Sequence, residues 1–276
     1  MKIKLIASDL DGTFLKDDKT IPEENLKAFE ACAAKGVEIV PATGRLVAGI
    51  PEEIRNLSGV RYVIGTNGAL ITDLWENKEI SACRIKNELA VSILMLAQNS
   101  KDDIMYDAYI DGLGYTSEYF YEHADKYAPS AAVAKLIRKT RQPMENHVSA
   151  VKNSGKDVEK VNMFFVSMEA RQRMREMLAQ IPGIFVSSSL PNNLEINAIG
   201  ADKGSALLRL AEYLGISREE TMAFGDGEND VTMIRNAGIG VAMENGEDCV
   251  KAVADHITCS NNENGVAEAI RQFVLK

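Results

Sequence analysis

Short apolar runs alternate along this chain with longer segments whose apolar residues recur at helical spacing. Four of the runs are too short for helices and predict buried strands at residues 3–8, 37–40, 61–65 and 221–224. A helix is predicted after Pro22, which takes the favoured first helical position, and another runs from Lys203 until Gly215 ends it. Alternation of strands and helices indicates a parallel sheet with right-handed crossovers. We therefore expect an α/β fold.

The middle of the chain follows a different pattern. Its predicted elements are helices at residues 87–98 and 169–180 and strands at residues 104–109, 161–166 and 184–187. We interpret residues 82–189 as a separate α+β domain, because they carry no catalytic signature. This domain is inserted into a core made of residues 1–81 and 190–276. Turn-forming residues at 73–78 and 188–193 mark the expected hinges.

Carboxylates follow the first and the last of the four short strands. Asp9 and Asp11 come directly after the first strand, and Asp226 and Asp230 follow the last. Open α/β sheets bind ligands at the carboxyl ends of their strands, so the two ends of the chain are expected to meet in one acidic site. Clustered carboxylates repel one another unless a hard cation lies between them, and oxygen ligands with room for water suit Mg²⁺. The pattern is typical of an active site.

Five short motifs occur in a fixed order along the chain. They are Asp9-Leu-Asp-Gly-Thr13, Ala42-Thr-Gly-Arg45, Thr66-Asn-Gly-Ala69, Lys203-Gly204 and Gly225-Asp-Gly-Glu-Asn-Asp230. Together they resemble the haloacid dehalogenase superfamily of phosphohydrolases, and its Cof-like branch in particular, over nearly the whole chain. The resemblance implies a Rossmann-like core with a parallel sheet and an inserted cap of the larger of the family's two classes. It also implies a phosphoric monoester hydrolase.

The resemblance assigns roles to the acidic motifs and to Lys203. Asp9 would be the nucleophile that becomes an aspartyl phosphate, and Asp11 the general acid and then the general base. Lys203 would offset charge on the phosphoryl group and order Asp9. The cofactor would be Mg²⁺, held by Asp9, Asp226, Asp230 and the backbone carbonyl of Asp11. Asp230 could ligate the ion directly or through a water molecule, and it could also cap the N-terminus of a helix.

Five further motif residues are candidates for phosphate or substrate binding, and one of them, Thr43, is also expected to be catalytic. Thr43 follows a strand and precedes Gly44, so its hydroxyl and the nearby N–H groups can hold phosphoryl oxygens. Arg45 and Asn67 are expected either to contact substrate or to form a surface salt bridge and stabilise a turn. Asn229 is expected to orient the phosphoryl group or the acids.

The composition limits which binding partners and which cellular location we expect. The chain carries 31 basic and 40 acidic residues, a net charge of −9 and a pI of 5.0, which argues against a nucleic-acid partner. Its four cysteines form no Cys-x-x-Cys pair and are expected to be buried, reduced thiols. The N-terminal apolar stretch meets Asp9 too soon for a secretory signal, and no run reaches the ~18 apolar residues of a membrane helix. We expect a cytoplasmic protein with no membrane partner, and the oligomeric state stays open.

The expected activity is magnesium-dependent hydrolysis of small phosphorylated metabolites, such as sugar phosphates, through an aspartyl-phosphate intermediate. A phosphotransferase or mutase with the same intermediate is the alternative enzyme, and phosphate release without an acceptor sugar separates the two. A phospho-aspartate signalling or binding module is the alternative from another class. Asp11 favours the enzyme, because an acid two residues after the nucleophile promotes the turnover that a switch must avoid. The inserted domain is expected to set the selectivity for the leaving group.

Overall fold

The computed structural model describes residues 2–276, which divide into two compact units. The first unit contains residues 2–44, 50–82 and 202–276, and the second contains residues 45–49 and 83–201. Within the described part of the chain, no helix is both long enough and apolar enough to span a membrane.

The regular elements alternate along the chain. The strands are β1 (Leu5–Ser8), β2 (Glu38–Pro41), β3 (Tyr62–Gly65), β4 (Leu70–Asp73), β5 (Lys78–Ala82), β6 (Ile104–Ile110), β7 (Leu113–Ser117), β8 (Arg141–Met144), β9 (Lys160–Phe165), β10 (Ile184–Ser187), β11 (Asn193–Ala198), β12 (Thr221–Gly225), β13 (Ile239–Met243) and β14 (His256–Thr258). The helices are α1 (Glu23–Ala33), α2 (Glu52–Arg55), α3 (Asn87–Gln98), α4 (Glu118–Glu122), α5 (Ala124–Tyr127), α6 (Ala131–Thr140), α7 (His147–Ser154), α8 (Met168–Leu178), α9 (Lys203–Tyr213), α10 (Val231–Asn236), α11 (Asp248–Lys251) and α12 (Gly265–Phe273).

A five-stranded sheet forms the centre of the first unit, in the order β14-β13-β12-β1-β2. Every neighbouring pair in it is parallel, which confirms the predicted parallel sheet. Leu5 and Ala7 lie two apart on β1, point to the same face, and pack with Leu207 and Leu210 of α9. Helix α9 begins at Lys203 as predicted, and α10 packs beside it against β12 and β13. The carboxyl ends of β1, β2 and β12 therefore lie next to one another.

Strand β3 departs from the expected topology. It forms a three-stranded antiparallel sheet with β4 and β5, and an isolated parallel bridge, between Ala42 and Ile64, links it to the segment after β2. The chain reverses directly after β3 because Thr66, Asn67 and Gly68 all have positive φ angles. The next strand consequently pairs back along β3 instead of crossing over through a helix.

The second unit is built on a six-stranded sheet in the order β10-β11-β9-β6-β7-β8. All of its pairs are antiparallel except β7 with β8. Helices α3 and α8 pack against its strands. This arrangement fits the predicted mixed α and β content of the inserted segment.

The boundaries of the second unit correct the sequence interpretation at its end. The segment from residue 190 to residue 201 was expected in the core, but β11 pairs with β9 and β10 in the second sheet. Alternation along a strand predicts that it is buried without indicating its partner strand, so the sequence could not assign β11. The chain returns to the first unit at Asp202.

Neither predicted hinge lies at a boundary between the units. Residues 74–77 are the turn of the β4–β5 hairpin, where the Asp73 carboxylate accepts hydrogen bonds from the N–H groups of Trp75 and Glu76. Residues 188–192 connect β10 to β11 within the second sheet, and Asn193 Oδ1 accepts bonds from the N–H groups of Ser189 and Leu190 there. Both segments have the turn chemistry that suggested a hinge, and in each it closes a hairpin.

Candidate active site

Asp9 lies at the carboxyl end of β1, between the two strands that flank β1 in the sheet. Its N–H donates to the carbonyl of Phe224 at 3.0 Å, which continues the pairing of β1 with β12 by one residue. The residue is 6% exposed, and its Oδ1 lies 2.6 Å from the ammonium of Lys203. The strand thus places a nearly buried carboxylate at the sheet edge, where the parallel topology gathers ligands.

Lys203 joins two of the carboxylates. It is the first residue of α9, which Asp202 caps by accepting a hydrogen bond from the N–H of Ser205. Its fully buried ammonium lies 2.6 Å from Asp9 Oδ1 and 2.6 Å from Asp230 Oδ1. Burial acts to lower the pKa of Lys203, but the charges of Asp230 and Asp9 outweigh it and raise that pKa above its usual range.

Asp226 and Asp230 come from the loop after β12. Asp226 Oδ1 accepts a hydrogen bond of 2.6 Å from the Thr13 hydroxyl. Asp230 Oδ2 accepts bonds of 3.0 Å from the N–H groups of Asp226 and Gly227, so this side chain also closes its own loop. Gly12 has a φ of +82°, and a Cβ there would lie 2.2 Å from Asp226 Oδ2, so only glycine fits between the two loops.

Carboxylate oxygens of Asp9, Asp226 and Asp230 lie within 4.8 Å of one another. Burial raises the pKa of Asp9 to about 7, with Asp230 and Asp11 adding to the rise and Lys203 opposing it. Burial, followed by the charges of Asp9 and Asp230, raises the pKa of Asp226 as well. Three carboxylates compete here for one ammonium, which leaves excess negative charge in a buried place.

The donor set suits a hard divalent cation. It consists of carboxylate oxygens alone, close enough together for one ion to bind them, and its excess negative charge is what such an ion would neutralise. The three acids that could hold Mg²⁺ are therefore Asp9, Asp226 and Asp230. The side chain of Asp11 is not in this group, and its Oδ1 pairs instead with Lys19 Nζ at 2.8 Å.

The candidate phosphate-binding residues are divided between the two units. Thr43 is buried after β2, where its N–H donates to Ile64 and its carbonyl accepts from the N–H of Asn67. Asn67 Oδ1 accepts a bond of 3.2 Å from Asn229 Nδ2, which links two of the motifs. Gly44 is the last residue of the first unit before Arg45 enters the second. The Arg45 guanidinium donates to the carbonyl of Gly49 at 2.8 Å.

Two polar residues beside these motifs have no sequence signal that would have marked them. Lys19 pairs with Asp11, and Asn245 Nδ2 donates to the carbonyl of Gly12 at 2.8 Å across 233 residues of chain. A lone lysine or asparagine in a polar segment looks like a solvated side chain. Only the folded arrangement brings these two to the loop that follows Asp9.

Comparisons with known proteins give one consistent result. The family model for haloacid dehalogenase-like hydrolases matches residues 6–270. A 5-amino-6-(5-phospho-D-ribitylamino)uracil phosphatase of Bacillus subtilis is 32% identical over 273 residues, which are 99% of this chain and 96% of that protein. A haloacid dehalogenase-like hydrolase from B. subtilis has a similar structure, with a TM-score of 0.86, 28% identity and coverage of 99% of this chain and 100% of that one. A sugar phosphatase of subclass IIB of the superfamily has a TM-score of 0.78 and 26% identity over 98% of both chains.

Proposed function

We propose a specific reaction for this chain, which belongs to the haloacid dehalogenase-like hydrolases and is a phosphoric monoester hydrolase. The reaction is hydrolysis of small phosphorylated metabolites through a phosphorylated Asp9, with Mg²⁺ as cofactor. One observation carries the proposal: Lys203 bridges Asp9 and Asp230, and Asp226 completes a buried group of three carboxylates. The substrates named for relatives, a phosphoribitylamino-uracil and sugars, support the metabolite class.

The first step is a displacement at phosphorus. One carboxylate oxygen of Asp9 forms a bond to phosphorus while the bond from phosphorus to the ester oxygen breaks. Asp11 enters this step in its protonated form and gives that proton to the departing oxygen, so that the product leaves as an alcohol and Asp11 becomes the carboxylate that pairs with Lys19. Lys203 stays protonated because two carboxylates face its ammonium, and its charge balances the negative charge that gathers at Asp9.

The second step returns Asp9 to its starting form. Asp11, now a carboxylate, takes a proton from water, and the water oxygen forms a bond to phosphorus. The bond between phosphorus and Asp9 breaks, which releases inorganic phosphate. Bound Mg²⁺ would supply positive charge that lets a phosphate dianion approach the acidic site. Asp9, Asp226 and Asp230 are the side chains that would hold it.

Phosphate release tests the proposal and both of its alternatives. The purified chain is incubated with Mg²⁺ and single phosphorylated metabolites, including sugar phosphates and nucleotide-derived cofactors, and inorganic phosphate is measured. We expect steady release in water without any acceptor, and rates that differ among the metabolites. A single turnover that leaves a stable phosphoprotein would instead indicate a signalling module, and release that requires an acceptor sugar would indicate a phosphotransferase or mutase.

A further inference from the structure

A loop near the C-terminus holds the segment that follows the nucleophile. We name residues 10–20 the acid loop and residues 259–265 the clamp loop. Asn261 is fully buried, and its Nδ2 donates to the Leu15 carbonyl and to Asp17 Oδ1, at 3.0 Å each. Asn262 Nδ2 donates to Asp17 Oδ2 at 2.8 Å, and the Asp17 N–H donates back to Asn262 Oδ1 at 3.3 Å. Four hydrogen bonds thus tie the two loops together across about 245 residues of chain.

The acid loop in turn fixes the side chain of Asp11. The N–H of Leu15 donates to the carbonyl of Leu10 at 2.8 Å, and a bridge pairs Asp11 with Leu15, so the loop folds back on itself directly after Asp11. The carbonyl of Lys16 accepts a hydrogen bond from the N–H of Lys19. Lys19 has a φ of +68°, and this conformation turns the loop tip toward Asp11. The Lys19 ammonium then lies 2.8 Å from Asp11 Oδ1.

A second anchor holds the start of the same loop. Asn245 Nδ2 donates to the Gly12 carbonyl at 2.8 Å, and Asn245 Oδ1 accepts the N–H of Asn261 at 2.9 Å. One asparagine therefore joins the residue after Asp11 to the clamp loop. Side-chain amides therefore hold the backbone that follows Asp11, at the carbonyls of Gly12 and Leu15 and at the carboxylate of Asp17.

We propose that Asn261, Asn262 and Asn245 are positioning residues that set the place of Asp11 for proton transfer. The inference rests on the proposed function, in which Asp11 protonates the leaving group. A general acid must come within hydrogen-bond reach of the atom that it protonates, and a misplacement of ~1 Å can cost ~10²-fold in rate. Loops without regular structure hold such a position only through specific bonds, and the clamp loop supplies them. The predicted consequence is selective: disturbing the clamp slows substrates that need the acid more than those that do not.

A charge exchange between Asp17 and Asn262 tests this. Asn262 is exposed, so the Asn262→Asp variant should fold. Its new carboxylate faces the carboxylate of Asp17. At low ionic strength, where screening is weak, their repulsion should separate the two loops. The double variant Asn262→Asp with Asp17→Asn restores the hydrogen bond between these two side chains, with the amide donor now in the acid loop and the carboxylate acceptor in the clamp loop. We expect the single variant to lose about 10-fold in kcat for an alkyl phosphate and less than about 2-fold for p-nitrophenyl phosphate, whose leaving group needs little protonation. The double variant should recover both rates to within about 2-fold.

The control variant is Glu263→Gln, which changes an exposed clamp-loop side chain that bonds to Ser260 and leaves Asp17 untouched. It should keep the wild-type ratio of the two rates. If Asn262→Asp lowers both rates equally, or if the double variant does not recover, the clamp acts only on stability and the positioning role is wrong. If the wild-type chain releases phosphate from neither substrate, the proposed function fails and this inference with it. Wild-type turnover that Asp9→Asn abolishes, with an unchanged rate ratio in Asn262→Asp, overturns the positioning role alone.

Discussion

Asp9 combines a reactive position with an environment that opposes its charge. Burial raises its pKa to about 7, and the Lys203 ammonium opposes this rise by favouring the carboxylate form, which the proposed reaction needs for attack on phosphorus. Asp9→Asn keeps the shape of the side chain and removes both the proposed nucleophile and its charge. We expect turnover of every substrate to fall by about three orders of magnitude or more. The melting temperature should not fall, because the change removes one of several mutually repelling carboxylates while Asp230 still pairs with Lys203.

The matched control for this variant is Asp111→Asn, which makes the same chemical change at an exposed ion pair with Lys156 in the second unit. Its turnover should equal that of the wild type. Phosphate release by Asp9→Asn at a rate near that of the control would remove Asp9 from the nucleophile role.

Asp11 is predicted to matter in proportion to the basicity of the leaving group. Asp11→Asn removes the proposed proton donor while it keeps a side chain of the same size opposite Lys19. For an alkyl phosphate we expect kcat to fall by about 10²- to 10⁴-fold. The loss should be clearly smaller for p-nitrophenyl phosphate, because its phenolate leaves without protonation. Equal losses for the two substrates, measured under saturating conditions, would argue against the acid assignment.

At the level of single residues, the sequence predicted those that follow strands and missed those that brace loops. Asp9, Asp226 and Lys203 could be expected in one place, because each follows or precedes a regular element whose end points to the same sheet edge. Lys19 and Asn245 could not, because the contacts that they make depend on loop conformations that no periodic pattern encodes. For the same reason the sequence did not predict that the Asp11 side chain pairs with Lys19 and lies outside the group of three carboxylates.

Among the helices, α7 carries a buried histidine that makes stability depend on pH. The ring of His147 lies against Tyr106 with centroids 5.0 Å apart, and its Nε2 makes no hydrogen bond within residues 2–276. Burial lowers the pKa of His147 from 6.5 to about 4. The ring is at the first turn of α7, where the helix dipole also disfavours a positive charge.

The sign of the effect follows from which state binds the proton. Between pH 6.5 and pH 4, His147 is protonated in the unfolded chain and neutral in the folded chain. The free energy of unfolding is therefore at its full value above pH 6.5 and decreases as the pH falls toward 4. The full loss is on the order of 3.5 kcal/mol, since each pH unit between 6.5 and 4 contributes about 1.4 kcal/mol. His147→Phe keeps an aromatic ring beside Tyr106 and cannot be protonated. Urea unfolding at pH 7 and pH 5 should show a smaller decrease for the variant, and equal decreases would contradict the prediction.

At the level of elements, strands were easier to predict than their partners. The runs that became β1, β2 and β12 form the parallel sheet as expected. Strand β3 looks the same in sequence, yet the positive φ angles of Thr66 and Asn67 turn it into a hairpin with β4. β11 likewise joins the second sheet. For both strands, a turn or long-range packing determines the partner strand. Neither can be read from the strand's own pattern of apolar residues.

On the scale of the whole molecule, the acidic group links parts of the chain that are far apart in sequence. Asp9 follows the first strand, and Asp226 and Asp230 follow the twelfth, and in the folded state their carboxylates lie within 4.8 Å of one another. The unfolded chain separates them, so it binds a divalent cation only weakly. A cation that binds the folded chain alone stabilises it by about 2.7 kcal/mol at a hundredfold excess over Kd.

Removal of the metal should therefore change activity and stability together. We expect EDTA to abolish phosphate release and Mg²⁺ to restore it, and we expect saturating Mg²⁺ to raise the melting temperature of the wild type by about 5 °C. Ca²⁺ should raise the melting temperature but support little turnover, because its larger and looser coordination misplaces the nucleophile and phosphorus. Asp226→Asn is the control: it removes one ligand of the three, so the thermal shift with Mg²⁺ should shrink. Full activity after exhaustive chelation, or an equal shift in the wild type and Asp226→Asn, would show that the three carboxylates do not hold the metal.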